Sequence, residues 1–324
     1  MTTTATERLT TGIGEHTYQW IDNWAKLPDN ETTRENGRTH GVVVSKAGDV
    51  YVFAQANPAV IVYDTNGNQK EAWGDRFPGA HGMTLVEEDG TEYLWLTDQN
   101  SGEVVKTTLD GKTVQTIEKP DIAHYQFGGR YSPTWVAVNE ARRGGNGDIW
   151  VADGYGQGLV HRYDKTGKYW GSISGEQGAG KFACPHGIAF RFDGAAPELY
   201  VADRGNQRVQ VFDGEGKFKR VVGAKTLHSP CMFAFHEGLG LTLIPELFSR
   251  VDLLDGEDNL VSILADNGYA CTVGGWPNHN VTGKPELIEP GKFNSPHGAT
   301  FDADGNIYVV EWIIGGRITK LARC

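Results

Sequence analysis

Residues 185–213 read PHGIAFRFDGAAPELYVADRGNQRVQVFD, and the reading of this stretch decides the fold. It holds a small Pro-His-Gly turn, an apolar run, a Gly/Asp turn, a second run ending in an acid, and a third run that alternates polar and apolar residues. Runs of four to six residues rich in Val, Ile, Leu, Tyr and Trp suit short strands and are too brief for buried helices. The same grammar begins at 39 (THGVVVSKAGDVYVFAQ), 81 (HGMTLVEEDGTEYLWLTDQ), 133 (PTWVAVNEARRGGNGDIWVADG), 230 (PCMFAFHEGLGLTLIPEL) and 296 (PHGATFDADGNIYVVEW). Third runs follow as VIVYD, EVVKTT, LVHRYD, RVQVFD, RVDLLD and RITKLA, which read as half-exposed strands. Four-stranded units recurring roughly every forty to fifty residues are the signature of propeller blades. The expected fold is all-β, a six-bladed β-propeller formed by residues 1–324 as one domain.

Closure of the ring follows from counting strands. Three runs remain after position 296 before the chain reaches Cys324, so the sixth blade lacks its outer strand. YQWIDNWAKLP at 18–28 matches the strands that precede the other blade starts, and residues 18–24 are expected to complete that blade and remove its free edge. Residues 1–16 are expected to be an irregular arm.

Composition agrees and narrows the partners. The 43 glycines cluster with Asn and Asp in runs such as DTNGN, LDGK, DKTGK, DGEGK and DADGN, which supply the positive φ angles of hairpin turns. A formal net charge of −11 with no basic run opposes a nucleic-acid partner, since that affinity rests on Lys and Arg neutralising phosphates. The opening MTTTATERLTTG has no positive segment followed by an apolar one, and no apolar window is long enough to span a bilayer; a cytoplasmic protein without membrane anchorage is expected. Cys184, Cys231, Cys271 and Cys324 form no CxxC pair, so neither a disulfide framework nor a cysteine zinc knuckle is indicated.

Aligning the six starts puts His40, His81, Thr134, His186, Cys231 and His297 at one equivalent place, where the innermost strand of each blade begins. Blades two, four and six thus carry His81, His186 and His297, which six-fold geometry arranges as a triangle around the axis. Three imidazoles with one side open are the ligand set of a catalytic divalent ion, zinc foremost. The glycine after each histidine lets backbones come close. His40 and Cys231 lie on intervening blades and either enlarge the ligand set or line the funnel.

Chain direction brings the loop after each second strand to the same face. These loops carry Gln55, Asp98, Asp153 with Tyr155, Asp203 with Arg204, Glu246, and Glu311 with Trp312. Carboxylates repeated there cap turn N–H groups. A phenol is not needed for that, so Tyr155 is a candidate acid/base; Arg204 either orients an anionic substrate group or pairs with an acid on a neighbouring blade. Gln55, Asn57, Cys231, Glu246 and Trp312 are the candidate substrate contacts. His16, His124, His161, His228, His236 and His279 share no register and default to surface or core roles. Two long connections, 121–133 and 267–293, are candidates for a rim or lid, the second offering Tyr269 and Trp276 as apolar contacts.

RGNQRVQVF at 204–212 is close to the NHL-repeat consensus. The run from VADGYG at 151 through ACPHGIAF to LYVADRGNQRVQVFDGEGKF resembles the catalytic core of peptidylglycine α-amidating lyase and its bacterial NHL-repeat relatives. The likeness extends from YQWIDNWAKLP to GGRITKLA and is most specific at DGY, PHG and ADR. It implies zinc on His81 in GAHGMTL, His186 in CPHGIAF and His297 in SPHGATF, and a catalytic tyrosine at Tyr155. The implied chemistry is cleavage of a carbinolamide C–N bond with proton transfer by that tyrosine. The chain departs from the family in blade one, where VFAQANPAV places Gln55 and Asn57 in the stretch that carries the family's arginine. His40 is an added imidazole, and Gly298 stands where the family's structural calcium has its acid.

The expected function is a metal-dependent lyase or hydrolase of a small polar, hydroxylated or carbonyl-bearing metabolite, with a close variant in the β-elimination of streptogramin lyases. The alternative is a non-catalytic NHL propeller serving as a protein-binding platform. A calcium propeller hydrolysing sugar lactones ranks last, because its carboxylate and amide ligands are not what this ring offers.

Overall fold

A computed structural model describes residues 8–279 and 282–324. Six antiparallel sheets form the six blades. Blade one runs outward from the axis as Thr39–Val44, Val50–Ala54, Val60–Tyr63 and Gln69–Trp73, and blade four as Pro185–Arg191, Glu198–Asp203, Arg208–Asp213 and Phe218–Val222. Blades two, three and five repeat this order.

Local turn chemistry sets the strands. In the hairpins that follow the third strands, Asp64 Oδ1 accepts from the N–H groups of Asn66 and Asn68, and Asp164 Oδ1 from those of Thr166 and Lys168. Each such turn then needs a left-handed residue, supplied by Gly67 at φ 83° and Gly167 at φ 89°.

The sixth blade closes as expected. Pro296–Phe301, Ile307–Glu311 and Arg317–Arg323 are completed by Tyr18–Ala25, with Tyr18 opposite Arg323 and Trp20 opposite Leu321. Tyr18 and Trp20 are buried, Trp20 lies 4.9 Å from the Phe293 ring and Trp24 lies 4.9 Å from Tyr308. Burying each such side chain contributes about 1.5–3 kcal/mol, so the first strand of the chain is held by packing as well as by its ladder. The N-terminal arm is more ordered than expected. Thr10–Thr11 adds a fifth strand to this sheet and Gly14–His16 forms a single 3-10 turn, anchored where Ala265 N donates to Thr11 Oγ1 at 2.6 Å. The backbone of this stretch finds sheet partners because Trp20 N donates to Leu9 O at 2.8 Å; residues 1–7 lie outside the described residues.

The core sits between blades. Six apolar clusters each join neighbouring blades, as where Trp135, Ala137 and Trp150 of blade three meet Ile188, Phe190 and Leu199 of blade four. Each blade therefore fixes the rotation of the next, and the innermost strands are brought around one axis. Among the described residues no helix is long and apolar enough to cross a membrane.

Candidate metal centre and active site

The four His-Gly pairs sit at irregularities in their innermost strands. Register shifts fall at Thr39/Gly41, Ala80/Met83, Pro185/Ile188 and Pro296/Gly298. A bulge re-aims the side chain it carries, and here it turns each imidazole to the axis instead of into the core between blades. His81, His186 and His297 form the expected triangle, with ring centroids 4.7 to 4.8 Å apart, all fully or almost fully buried. His40 joins them, 4.6 Å from His81 and 4.4 Å from His297.

Each imidazole of the triangle is held by the next blade. His81 Nδ1 lies 2.8 Å from Thr134 O, His186 Nδ1 2.7 Å from Cys231 O, and His297 Nδ1 3.1 Å from His40 O. The acceptors are the carbonyls of the three remaining ring positions. A carbonyl only accepts, so these contacts assign the proton to Nδ1 and leave each Nε2 as a lone pair directed into the site. The glycines after the histidines allow this approach: a Cβ at Gly82, Gly187 or Gly298 would meet Thr134 O at 2.5 Å, Cys231 O at 2.2 Å or His40 O at 2.3 Å.

Tyr155 bridges the cluster. Its Oη lies 3.2 Å from His81 Nε2 and 2.9 Å from His186 Nε2, and accepts from Arg204 Nη2 at 3.3 Å. The Arg204 guanidinium also lies 5.3 Å over the Tyr155 ring. A phenol has one proton, so it satisfies one of the two imidazole lone pairs. His297 Nε2 and both ring nitrogens of His40 are buried without a partner. Lone pairs converging in a buried site are costly unless a donor or cation meets them, and that is the condition a metal ion relieves. Two donor sets have all their ligand atoms within 4.8 Å of one another: His40, His81 and His297, and His186, Cys231 and His297. These histidine and cysteine groups can hold a metal.

Electrostatics keep the imidazoles neutral, the form that ligates. Burial, with Arg204 adding to it, pushes His81 down to about 3. Burial and the neighbouring cationic groups hold His186 and His297 well below the usual histidine range. His40 is depressed likewise, by burial first and then by His297, His81 and Arg38, with the adjacent Gln55 side chain opposing. Burial pushes Tyr155 up to about 12 and Cys231 up to about 12, with Arg204 pulling both back.

The remaining expected site residues divide. Arg204 donates to Tyr155 Oη and lies near Cys184 and Cys231, and among the described residues it forms no ion pair with an acid on a neighbouring blade. Trp312 stands half-buried on the rim, its backbone N–H donating to Ser295 O at 2.8 Å. Glu246 is not free to contact a substrate. It is fully buried and accepts from the N–H groups of His228 and Ser229, which it clamps in the turn before blade five. Asp98, Asp153, Asp203 and Glu311 clamp the corresponding turns, accepting from the N–H groups of Gly79, Ser132, Ala183 and Asn294. Asn57 is exposed and lies apart from the ring, in a cleft of about 310 Å³ lined by Thr32, Asn36, Gln55 and Phe77; its N–H is held by Thr32 Oγ1. Gln55 borders both that cleft and His40. Of the two aromatic contacts expected from 267–293, Trp276 packs on the rim, whereas Tyr269 is 82% exposed. At Gly298, where the resemblance places an acid of the family's calcium site, any side chain would collide with His40 O.

Three features escaped the sequence reading. Arg38 lies beside His40 with its guanidinium 5.4 Å over the Trp312 ring. Cys184, at φ 61°, faces Arg204. His161 is buried in blade three, in a chain in which Tyr125 Oη lies 2.7 Å from Asp153 Oδ2 and from His161 Nε2, and His161 Nδ1 lies 2.7 Å from Ser172 Oγ.

Fold and site together define a six-bladed propeller with four buried imidazoles converging at its axis. Among curated proteins the chain is similar to NHL repeat-containing protein 3 of Homo sapiens, 31% identical over 214 residues that cover 60% of this chain and 56% of that protein. It is also similar to peptidyl-α-hydroxyglycine α-amidating lyase 1 of Drosophila melanogaster, 30% identical over 270 residues, covering 74% of this chain and 44% of that one. The chain spans about half the length of the curated relatives it matches. No family model matches it. Among solved structures, a streptogramin B lyase superimposes with a TM-score of 0.60 at 15% identity, covering 94% of this chain and 97% of that one. A gluconolactonase from Xanthomonas campestris does so with a TM-score of 0.63 at 12% identity, covering 97% and 91%. The structural likenesses concern the fold; the likeness to NHL-repeat propellers of the amidating-lyase kind is one of sequence as well.

Proposed function

We propose that the chain is a metal-dependent enzyme, a lyase or hydrolase of a small polar metabolite bearing a hydroxyl or carbonyl group. The observation that carries this reading is the set of three buried Nε2 lone pairs, each oriented by a backbone carbonyl on the opposite ring nitrogen, with a single phenol proton among them. His81, His186 and His297 would hold the ion, with His40 or Cys231 as a further donor. Nitrogen donors with an open side favour zinc among divalent ions. When bound, such an ion supplies Lewis-acid polarisation of a substrate oxygen. Tyr155 is the proton carrier: its Oη lies against His81 and His186 Nε2, and Arg204 stabilises the phenolate that forms when the proton leaves. Tyr155 is half-buried, and burial raises its pKa, which keeps the phenol protonated until a substrate takes the proton. The relatives named as lyases support the reading. Gln55 and Asn57 at the position of the family's arginine argue for a substrate other than a peptidyl-hydroxyglycine.

Elemental analysis of protein purified without a histidine tag is expected to find about one zinc per chain. Tyr155→Phe is expected to keep that ion and to slow release of aldehyde or ketone from a panel of hydroxylated amides and esters by about a hundred- to ten-thousand-fold. Metal-free protein, or turnover indifferent to Tyr155→Phe, would overturn the assignment and leave the binding-platform reading.

A further inference from the structure

The axis of the propeller holds a second chamber, behind the histidines. It measures about 190 Å³ and is lined from all six blades. Its inner end is a layer of one residue per blade, Val42, Met83, Trp135, Ile188, Met232 and Ala299. Each is buried and stands one or two positions after the ring residue of its blade. The Trp135 ring packs against the cluster, 6.2 Å from His81 and 6.5 Å from His186. Val44, Leu85 and Phe301 also border a wider opening of about 280 Å³, which reaches Ser45 and Asp302 in the hairpins that follow the first strands of blades one and six. Those strands start at the histidines, so the opening lies on the opposite face.

The imidazoles close the bore. Their ring centroids lie 4.4 to 4.8 Å apart, near van der Waals contact, which separates the chamber from Tyr155 and Arg204. Among the described residues no titratable side chain lines the chamber, and two of the three methionines of the chain, Met83 and Met232, lie on it. Thioether side chains adapt to the shape they meet. Charges at the mouth answer one another. Glu87 takes Lys46 at 2.6 Å and Arg142 at 3.2 Å, Glu92 accepts from the backbone N–H of Lys46, and Asp302 Oδ1 accepts from the N–H groups of Asp304 and Asn306. A charged molecule entering here would lose its hydration and gain no counter-charge. Neutral hydrogen bonding is provided for, because each innermost strand is paired on one side only and its other edge brings N–H and C=O groups to the axis.

We propose that this chamber is a second binding site, entered from the face opposite the reaction site, for a small neutral molecule with an apolar body and one hydroxyl or carbonyl group. The volume sets the size: an apolar cavity of about 150 Å³ holds benzene, so this one admits a somewhat larger body. Apolar side chains hold that body and the free strand edges take its polar group.

The probe is 2-naphthol, compared by calorimetry at pH 7 with the anionic 2-naphthoate and the cationic 2-naphthylmethylamine. One 2-naphthol per chain is expected to bind, at least about tenfold more tightly than either charged analogue. Ala189→Leu and Ala234→Leu, which narrow the chamber from blades four and five, are expected to weaken it at least about tenfold, and Trp312→Leu on the histidine face is expected to leave it unchanged. Methionine methyl spectra of the unaltered protein give a reading independent of any variant: the naphthol ring is expected to shift the Met83 and Met232 signals and not that of Met1. Absence of saturable binding, equal affinity for a charged analogue, unmoved Met83 and Met232 methyls, or loss of binding in Trp312→Leu would overturn the site. So would undiminished affinity in both leucine variants with near-ultraviolet circular dichroism intact.

Discussion

Replacing His161 by glutamine and then lowering the pH probes the buried polar chain that braces the Tyr155 loop. Tyr125 donates to Asp153, so its oxygen must accept from His161 Nε2, and His161 Nδ1 accepts from Ser172, whose oxygen lies 2.7 Å from Tyr169 Oη. This direction of hydrogen bonding requires a neutral ring, and burial pushes His161 down to about 3 from an unfolded value near 6.5. A depressed histidine binds fewer protons in the folded state than in the unfolded one below pH 6.5. Its stabilisation is therefore complete above that pH and is lost as pH falls toward 3. At about 1.36 kcal/mol per unit, the 1.5 units between 6.5 and pH 5 amount to about 2 kcal/mol. Glutamine can make the same donor and acceptor pair and does not titrate. Urea denaturation of both proteins at pH 7.5 and pH 5 is expected to show the wild-type advantage shrinking by about 2 kcal/mol. The difference between proteins is the quantity to read, since Glu246 and Asp252, pushed up by burial to about 7 and about 6, drive both proteins the opposite way. A constant gap across that range would refute a neutral, buried His161.

Two further outcomes follow from close contacts elsewhere. Arg317→Met removes the fully buried partner of Glu311, which also holds the carbonyl of Lys292, and is expected to lower unfolding free energy by about 3–5 kcal/mol in denaturant titration; a change below about 1 kcal/mol would show the pair to be solvated. Gly187→Ala would set a Cβ 2.2 Å from the Cys231 carbonyl that orients His186, so a lower melting temperature together with reduced zinc content is expected, and an unchanged metal content would detach that carbonyl from the site.

The blades were legible because their signals are local. The Asp-Gly hairpins and the period-two runs act within a few residues, and the ring positions keep one offset from the turns, so His81, His186 and His297 align without coordinates. Strand counting put the closing strand at 18–24, where the structure has Tyr18–Ala25, although Thr10–Thr11 gave no apolar pattern and was missed. Glu246 was misjudged because an acid after a strand reads alike whether it faces solvent or its own turn. Asn57 was misplaced because the chain passes His40 at Gln55 and then runs into the cleft beside Thr32.

From the sequence alone came the all-β class, the number of blades, the circular closure and the identity of the imidazoles, all consequences of periodicity and turn chemistry. Tertiary structure alone decided the proton positions and the neighbours of the site. The bonds His81 to Thr134, His186 to Cys231 and His297 to His40 span 53, 45 and 257 residues. The meeting of Tyr155 with two histidines, and of Arg38 with Trp312, likewise depends on how far each blade is rotated against the next. That rotation is set by the packing of the large side chains between blades, a property of volumes in contact that no local pattern of residues encodes.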